Sequence, residues 1–289
     1  MFRPFELVEP SSVAEAIGCL EANPDDARIY AGGTELLLVM RLGLLHPKLL
    51  VNIKSIPGMD RLELHNGDLK LGPLVTHRAL EVSPLIREKF TPIAEMESKV
   101  ANVRVRNVGT LGGNLAFAEP HSDPATLFLI YEAQLTLQSS RGTRQVSLDK
   151  FFVGPYETAM QPNEILTEIR IPALPPGMQG AYIRWGILER PTLNIAVGVR
   201  KEKDGLLDSV RIAIGSVGPV PMRLQELEDS LRGMDVAAAC VHVANSGAFL
   251  RERLAPVSDI HGSEEYKIYM TKTLLQRALR EAAGEALRE

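Results

Sequence analysis

The N-terminal part of the chain combines one amphipathic stretch with several short apolar runs. Ser12 and Glu15 have the spacing of a capping box, which satisfies free backbone N–H groups at a helix start. The apolar residues that follow share one helical face: Val13, Ala16, Ile17 and Leu20. This pattern predicts a first helix that ends at Asn23-Pro24.

A pair of glycines interrupts the apolar runs after this helix, in "YAGGTELLLVM" (30–40). "ARIYA" predicts a strand, Gly32-Gly33 a turn, "TELLLVMRLG" a second helix and "KLLVNI" another buried strand. Strands that alternate with helices indicate a small α/β subdomain, which we place at about residues 1–55.

From about residue 56 the apolar and polar positions begin to alternate. "RLELHNGDLKLG" alternates on both sides of Asn66-Gly67, which is the strongest short hairpin signal. "THRALEVSPLI" and "FTPIAEMESKVAN" each predict a helix, and Asp123-Pro124 supplies an N-cap residue and a first helical residue for another. "AQLTLQSSRGTRQVSL" predicts a hairpin and "EILTEIRIPA" a strand. Residues 56–175 therefore form a second predicted α/β subdomain.

A proline-rich stretch, Pro172–Gly180, is the predicted linker to the C-terminal region. Beyond it, "AYIRWGI" and two apolar runs joined at Asp204-Gly205 predict strands. Helices are predicted over Met222–Leu231, Val236–Leu250 and Glu264–Leu287. Residues 178–289 thus form a predicted α+β domain, and residues 1–175 the domain before it.

Charge and cysteine content exclude several classes of function. A formal charge of -4 over 289 residues gives no basic excess, so we expect no nucleic-acid binding. Cys19 and Cys240 are the two cysteines, too few for an iron–sulfur cluster, and they are predicted to be buried thiols. The N-terminus lacks the apolar core of a signal peptide, which predicts a cytoplasmic protein.

Two glycine clusters are the candidate binding site. "AGGTE" at 31–35 and "GTLGGN" at 109–114 match neither a Walker phosphate loop nor the dinucleotide fingerprint. Each alone is most simply a turn. Together, a glycine turn before a helix and a possible nest of N–H groups could hold a diphosphate from both sides without a basic excess. Glu35 does not fit this hypothesis well, since its carboxylate would repel phosphate.

"YAGGTELL" followed by "VRNVGTLGGNLAFAEPHSDPATLFLIYEA" resembles the FAD-binding subunits of the molybdenum hydroxylase family. That family includes the medium subunit of aerobic carbon monoxide dehydrogenase and the flavin parts of xanthine dehydrogenase and 4-hydroxybenzoyl-CoA reductase. The similarity extends from "FELVEPSSVAEAI" through "EILTEIRIP" to "YIRWGILERPTLNIAVGVR". The cysteine-bearing insertion of the 4-hydroxybenzoyl-CoA reductase subunit is absent here, as is an obvious tether for covalent flavin.

The resemblance implies a fold class and a set of cofactor contacts. The fold is α+β: an FAD-binding fold of the vanillyl-alcohol-oxidase (PCMH) type, with two α/β subdomains and a C-terminal α+β domain. Carried over position by position, the FAD contacts are Ile29, Tyr30, Ala31, Gly32, Gly33, Thr34, Glu35 and Leu36 on one side of the diphosphate, and Thr110, Leu111, Gly112, Gly113 and Asn114 on the other. Asp123 would bind ribityl or ribose hydroxyls, Leu166 would lie near a ring system, and Arg184 (or Gly186, if the alignment shifts) would lie near the flavin.

The same resemblance implies an electron-transfer subunit. FAD would exchange electrons between the clusters of a [2Fe-2S] small subunit and an acceptor such as NAD(P)+ or a quinone, while a molybdopterin-containing large subunit acts on the substrate. A dimer of heterotrimers is implied, cytoplasmic or peripheral at the inner face of the membrane through its partners. Two alternatives remain open: a stand-alone flavin-dependent reductase or oxidase of the same fold, and a non-catalytic nucleotide-binding module.

The remaining candidate residues give weaker signals. The histidines lack metal-ligand spacing, so no metal site is predicted, and no catalytic residue is assigned. His121 lies near Asp123 and is a possible cofactor contact. His77 is interpreted as a helix-start or packing residue. Tyr182 and Trp185 are interpreted as strand core rather than as flavin stacking partners.

Overall fold

The computed structural model describes residues 2–186 and 189–285, and it begins with a small parallel sheet. Strands β1 (Glu6–Val8), β2 (Ala27–Tyr30) and β3 (Leu49–Asn52) lie in the order β1-β3-β2. Helices α1 (Val13–Ala22) and α2 (Leu36–Arg41) connect them. The Ser12 hydroxyl caps α1 by accepting from the Glu15 N–H, as the sequence predicts.

A five-stranded antiparallel sheet follows, in the order β4-β5-β10-β6-β7. Its strands are β4 (Leu62–His65), β5 (Asp68–Leu71), β6 (Gln134–Ser139), β7 (Gly142–Ser147) and β10 (Ile165–Ile171), with a small separate pair β8 (Phe152–Gly154) and β9 (Glu157–Thr158). The predicted hairpin at Asn66-Gly67 is confirmed, since both residues have positive φ (54° and 88°), as a type I′ turn requires.

Six helices pack beside this sheet, and several differ from the predicted ones. They are α3 (His77–Val82), α4 (Pro84–Lys89), α5 (Thr91–Lys99), α6 (Val103–Val108), α7 (Leu111–Phe117) and α8 (Asp123–Ile130). The single helix predicted over "THRALEVSPLI" is wrong, because Ser83 before Pro84 is extended and ends α3. The prediction of Asp123 as an N-cap is also wrong: Ser122 occupies the cap position, and Asp123 is the first helical residue.

The C-terminal region is a four-stranded antiparallel sheet with helices on one side. The strands run β11 (Gln179–Trp185), β12 (Leu193–Lys201), β13 (Leu207–Gly215) and β14 (Met222–Arg223) in chain order. The helices are α9 (Gln225–Ser230), α10 (Val236–Asn245), α11 (Gly247–Leu254) and α12 (Glu264–Ala282). The helix predicted over Val236–Leu250 is divided at Ser246, and the last two residues of the one predicted over Glu264–Leu287 lie outside the described residues.

Three clusters of buried apolar side chains stabilise the fold. One lies under the small parallel sheet, and the third lies under the C-terminal sheet. The largest lies between the five-stranded sheet and helices α3, α4, α5, α7 and α8. Tyr182 on β11 belongs to the largest cluster, so the C-terminal sheet also packs against α8. Cys240 is buried as predicted, whereas Cys19 is only half-buried.

Candidate functional site

A cavity of about 450 Å³ lies between the two glycine clusters, which are called here the first (31–35) and second (109–114) glycine segments. The end of the five-stranded sheet and the segment between β11 and β12 also line it. Apolar residues such as Ile53, Val105 and Phe117 form much of its wall. A cleft of this volume, with apolar walls and a few polar groups, is typical of a cofactor site.

The first glycine segment presents unused backbone donors to the cavity. Among the described residues, none accepts a hydrogen bond from the N–H groups of Gly32 to Leu36. Buried or half-buried N–H groups ordinarily find a partner, so a row of unpaired donors beside a cavity indicates a place for a ligand with acceptor oxygens.

The two glycines of this segment meet different steric demands. A Cβ at Gly32 would lie 2.1 Å from the Val108 carbonyl oxygen, so the absence of a side chain lets the two glycine segments touch. Gly33 has φ +77°, a conformation that L residues rarely adopt, and a Cβ there would lie 2.4 Å from the Tyr30 ring. Both glycines are therefore required by the close approach of backbone and ring.

The second glycine segment is a helix, not the predicted loop. Leu111, Gly112 and Gly113 open α7, with Thr110 as its cap. The anion-binding nest predicted here is not formed, because each N–H has a partner in the chain: Leu111 donates to Val75 O (2.9 Å), Gly112 to Pro73 O (2.9 Å), Gly113 to Thr110 Oγ1 (3.1 Å) and Asn114 to Thr110 O (2.9 Å). A Cβ at Gly112 would lie 2.3 Å from Pro73 Cβ, so this glycine serves packing.

Glu35, which did not fit the hypothesis from the sequence, has a cation beside it. Arg190, from the segment between β11 and β12, donates to both Glu35 carboxylate oxygens (3.3 and 3.2 Å) and lies 3.2 Å from a Glu119 oxygen. Burial raises the pKa of Glu35, and Arg190 opposes that shift. Burial disfavours the charge of Arg190, but Glu119 and Glu35 outweigh it and raise the pKa of the guanidinium.

Asp123, at the start of α8, is the centre of a cluster of buried polar side chains. Its carboxylate accepts from the Tyr182 hydroxyl (2.7 Å) and lies 3.3 Å from Arg184 Nε. Burial raises the pKa of Asp123 to about 6, although Arg184 and the Tyr182 hydroxyl lower it. Asn194 joins this group by donating to the Ser122 carbonyl oxygen (3.0 Å).

His77 and Glu97 form a second buried pair at the cavity wall. The His77 Nδ1 lies 2.7 Å from a Glu97 carboxylate oxygen, and Glu97 is fully buried. The His77 backbone N–H also donates to Gly109 O (3.1 Å), which fixes the second glycine segment to α3. His77 starts α3, as predicted, and it also lines the cavity, a role that the sequence did not reveal.

Most of the residues that the family resemblance implies come together at this cavity. Those that line it are Ile29, Ala31, Gly32, Gly33, Thr34, Glu35, Leu36, Thr110, Gly112, Gly113, Asn114, Asp123 and Leu166. Tyr30, Leu111 and Arg184 do not: Leu111 belongs to the core, Tyr30 lies against Lys54, and Arg184 contacts the cavity indirectly through Asp123.

Several charged residues of the cavity lining were missed by sequence reasoning. The carboxylates that line the cavity are Glu35, Glu119, Asp123, Glu164 and Glu189, and the guanidinium groups are Arg28 and Arg190. No periodicity or motif could have identified Glu119 and Arg190, because their contacts join residues that are distant in the sequence.

The aromatic and histidine candidates have distinct environments. Tyr182 is in the core, as predicted, whereas Trp185 is 41% exposed and donates from its indole to the Tyr266 hydroxyl, so its assignment to the core is wrong. His121 lines the cavity and lies between Glu119 (3.1 Å) and Asp259 (3.2 Å).

Two searches of the described residues, 2–186 and 189–285, found nothing. No cluster of histidine, cysteine and carboxylate side chains there has the geometry of a metal site. Over the same residues, each helix is too short or too polar to cross a bilayer.

Two family models match the chain. Residues 3–174 match the FAD binding domain in molybdopterin dehydrogenase, and residues 189–282 match the CO dehydrogenase flavoprotein C-terminal domain.

Individual relatives agree with these matches. The nicotine 6-hydroxylase medium subunit of Paenarthrobacter nicotinovorans is 32% identical over 95% of this chain and 96% of its own length. The carbon monoxide dehydrogenase medium chain of Hydrogenophaga pseudoflava is 31% identical over 96% of each chain. A solved structure of carbon monoxide dehydrogenase from Hydrogenophaga pseudoflava superposes with a TM-score of 0.92 at 30% identity, covering 99% of this chain and 100% of that one. The predicted fold class, an FAD-binding fold followed by a C-terminal α+β domain, is confirmed.

Proposed function

Because the chain belongs to the FAD-binding subunits of the molybdopterin dehydrogenases, and so is an oxidoreductase subunit with FAD as its cofactor, we propose that it transfers electrons within such a complex. In this proposal, electrons pass between the iron–sulfur clusters of a partner subunit and an external acceptor such as NAD(P)+ or a quinone. FAD, when bound, supplies the exchange of electrons in ones and twos, and the protein supplies binding and orientation.

The observation that carries the proposal is the row of unpaired N–H groups from Gly32 to Leu36 at the cavity wall. Their donors suit the oxygens of the FAD diphosphate, which carries negative charge but needs no basic side chain when backbone N–H groups surround it. The apolar wall around Ile53 and Leu166 suits the ring systems. The residues present therefore fit FAD.

The second glycine segment has a different role in this proposal. Thr110 to Asn114 form a rigid wall, because their N–H groups are already bonded within the chain. Only side-chain groups and the bare surface of Gly113 then remain to approach the cofactor. Asp123, held by Tyr182 and Arg184, is the acceptor that we assign to ribityl or ribose hydroxyls.

The partners that we propose are a molybdopterin-containing large subunit and a [2Fe-2S] small subunit, assembled as a dimer of heterotrimers. The names of the curated relatives support this, since they are medium subunits or chains of larger enzymes. We also propose that the FAD-binding domain comprises residues 1–175 and the C-terminal domain residues 178–289. No general acid or base on this chain is needed.

The experiment that tests the proposal is the visible absorption spectrum of the purified chain, with identification of any cofactor released on denaturation. We expect a flavin spectrum and released FAD, or the same spectrum after incubation with FAD. A second sample carries Gly113→Val, whose side chain would point past Thr110 Oγ1 (2.9 Å from the added Cβ) toward Ala31. This variant should fold but hold less flavin.

Two results would contradict the proposal. A chain that remains colourless after incubation with FAD would exclude the cofactor site. Steady turnover of a small substrate by the isolated chain would instead support a stand-alone flavin enzyme.

A further inference from the structure

The lining of the cavity is mainly acidic, although the proposed ligand, FAD, is an anion. Most of its charged side chains are carboxylates, while the FAD diphosphate is itself anionic. Like charges at short range in a partly dehydrated site repel strongly, so each carboxylate needs a compensating cation. Glu164 has one in Arg144, 2.6 Å away, and Asp123 has one in Arg184, 3.3 Å away.

Glu35 and Glu119 share a single guanidinium between them. Arg190 contacts Glu35 at 3.2 Å and Glu119 at 3.2 Å through different nitrogens. Glu35 lies within the row of unpaired N–H groups and its side chain is 34% exposed, whereas Glu119 is only 9% exposed and is poorly screened by water. Without the guanidinium, two negative charges would face the place where the diphosphate binds.

We infer that Arg190 is a positioning residue that makes this acidic cavity receptive to an anionic cofactor, by neutralising Glu35 and Glu119. This inference rests on the proposed assignment of the FAD diphosphate to the first glycine segment. It assigns Arg190 an action through its two carboxylate partners, not through contact with the cofactor.

The planar fork of arginine is suited to this arrangement. Two nitrogens of one guanidinium reach two carboxylates in fixed directions, whereas a lysine ammonium is a single compact charge on a flexible stem. The same contacts join the segment between β11 and β12 to the first glycine segment and to the connection between α7 and α8, so the C-terminal region completes the cavity. The neighbouring titratable groups include Tyr156, which interacts with Arg190, and His121, which lies 3.1 Å from Glu119 with Asp259 beyond it.

The test removes the positive charge of Arg190 and then also removes the negative charge of Glu35, one of its two partners. The full-length chain carries Arg190→Gln, Glu35→Gln, or both, and FAD affinity and dissociation rate are measured by flavin fluorescence at low salt. We expect Arg190→Gln to weaken FAD binding by about tenfold or more. Glu35→Gln alone should bind FAD at least as tightly as the wild type. The double variant should recover part of the loss, because the Glu119 charge remains without Arg190.

Three further samples make the result specific. Arg200→Gln removes an arginine of the same region whose partner, Asp208, lies away from the cavity, and it should leave FAD affinity unchanged. Arg190→Lys should lie between the wild type and Arg190→Gln. Raising the salt concentration should reduce the Arg190→Gln defect only in part, because partly buried charges are screened much less than exposed ones.

The outcomes separate this inference from the function on which it rests. A wild-type chain that does not bind FAD overturns the proposed function. If the wild type binds FAD but Arg190→Gln binds equally well, only the inference fails. It also fails if Arg190→Gln weakens binding and Glu35→Gln does not restore it, since Arg190 would then act by direct contact or by a structural role.

Discussion

The two glycine segments have similar sequences and opposite hydrogen-bonding states. In the first, the N–H groups of Gly32 to Leu36 have no partner among the described residues. In the second, the N–H groups from Leu111 to Asn114 are all bonded to Val75, Pro73 or Thr110. A glycine pair therefore indicates close approach of backbone, but it does not say whether a ligand or the protein itself makes that approach.

The buried His77–Glu97 pair lies beside the second segment, and its loss should cost the most stability. Replacing His77 with alanine leaves the fully buried Glu97 carboxylate without the only partner that the described residues give it. Breaking such a pair from one side costs about 3–5 kcal/mol. We expect that loss in the free energy of unfolding, measured by urea denaturation.

His65→Ala is the matched control for His77→Ala, because His65 lies exposed at a hairpin tip. It should change the free energy of unfolding by less than about 0.5 kcal/mol. Equal effects of the two substitutions would show that the His77–Glu97 pair does not stabilise the fold.

Asp123 should make stability depend on pH in the direction opposite to most carboxylates. Its pKa is raised from 3.8 to about 6 in the folded chain, so between these values the folded state binds more protons than the unfolded state. Stability therefore falls as pH rises through this window, by about 3 kcal/mol in total. Asp123→Asn should remove this contribution.

The measurement for Asp123 is urea denaturation of the cofactor-free chain from about pH 4 to about pH 7. Asp208→Asn, at a half-exposed ion pair with Arg200, is the control and should leave the pH dependence of the wild type intact. Parallel curves for the wild type and Asp123→Asn would contradict the raised pKa.

Gly112 tests the packing role of the second segment directly. A Cβ there would lie 2.3 Å from Pro73 Cβ and 2.7 Å from Pro73 O, so Gly112→Val must displace backbone. We expect a loss of about 2 kcal/mol in the free energy of unfolding. Gly18→Val provides the control, because Gly18 is also helical but a Cβ there has nothing within 4 Å. If both substitutions are tolerated equally, Gly112 is not required for packing.

The sequence predicted correctly those turns and helix starts that depend only on neighbouring residues. Asn66-Gly67 specifies its turn by backbone conformation alone, and Ser12 specifies the start of α1 by its own hydrogen bond. The helix at Leu111 was missed, because the glycine cluster there was interpreted as a turn or loop. Glycine also has low helix propensity. Packing against Pro73 outweighs that propensity, and packing leaves no local signal.

The residues of the candidate site also fall into those that the sequence predicted and those that it did not. Residues in the two motifs were predicted from resemblance, and most of them line the cavity. Arg190 was not, since its partners Glu35 and Glu119 lie far away in the sequence. Ion pairs across domains have no periodicity that a single sequence can show, and this is why the awkward Glu35 carboxylate was explained only by the structure.

Gly33 is a position where a small substitution tests the first segment. Its φ of +77° makes Gly33→Ala unfavourable by about 1 kcal/mol, and the Tyr30 ring must shift to accommodate the added Cβ. Gly67→Ala is the matched control, because Gly67 has φ +88° but nothing within 4 Å of an added Cβ. Gly33→Ala should lose more stability than Gly67→Ala in thermal unfolding, because only the Cβ at position 33 meets a ring.

FAD affinity should separate these two glycine variants. In Gly33→Ala the row of N–H donors is displaced, and losing one hydrogen bond to a charged group weakens binding by about tenfold or more. Gly67→Ala should bind FAD like the wild type, because its hairpin lies outside the cavity lining. If Gly33→Ala loses stability but keeps full FAD affinity, the unpaired donors are not the diphosphate site. The two glycine segments would then differ in structure without differing in function.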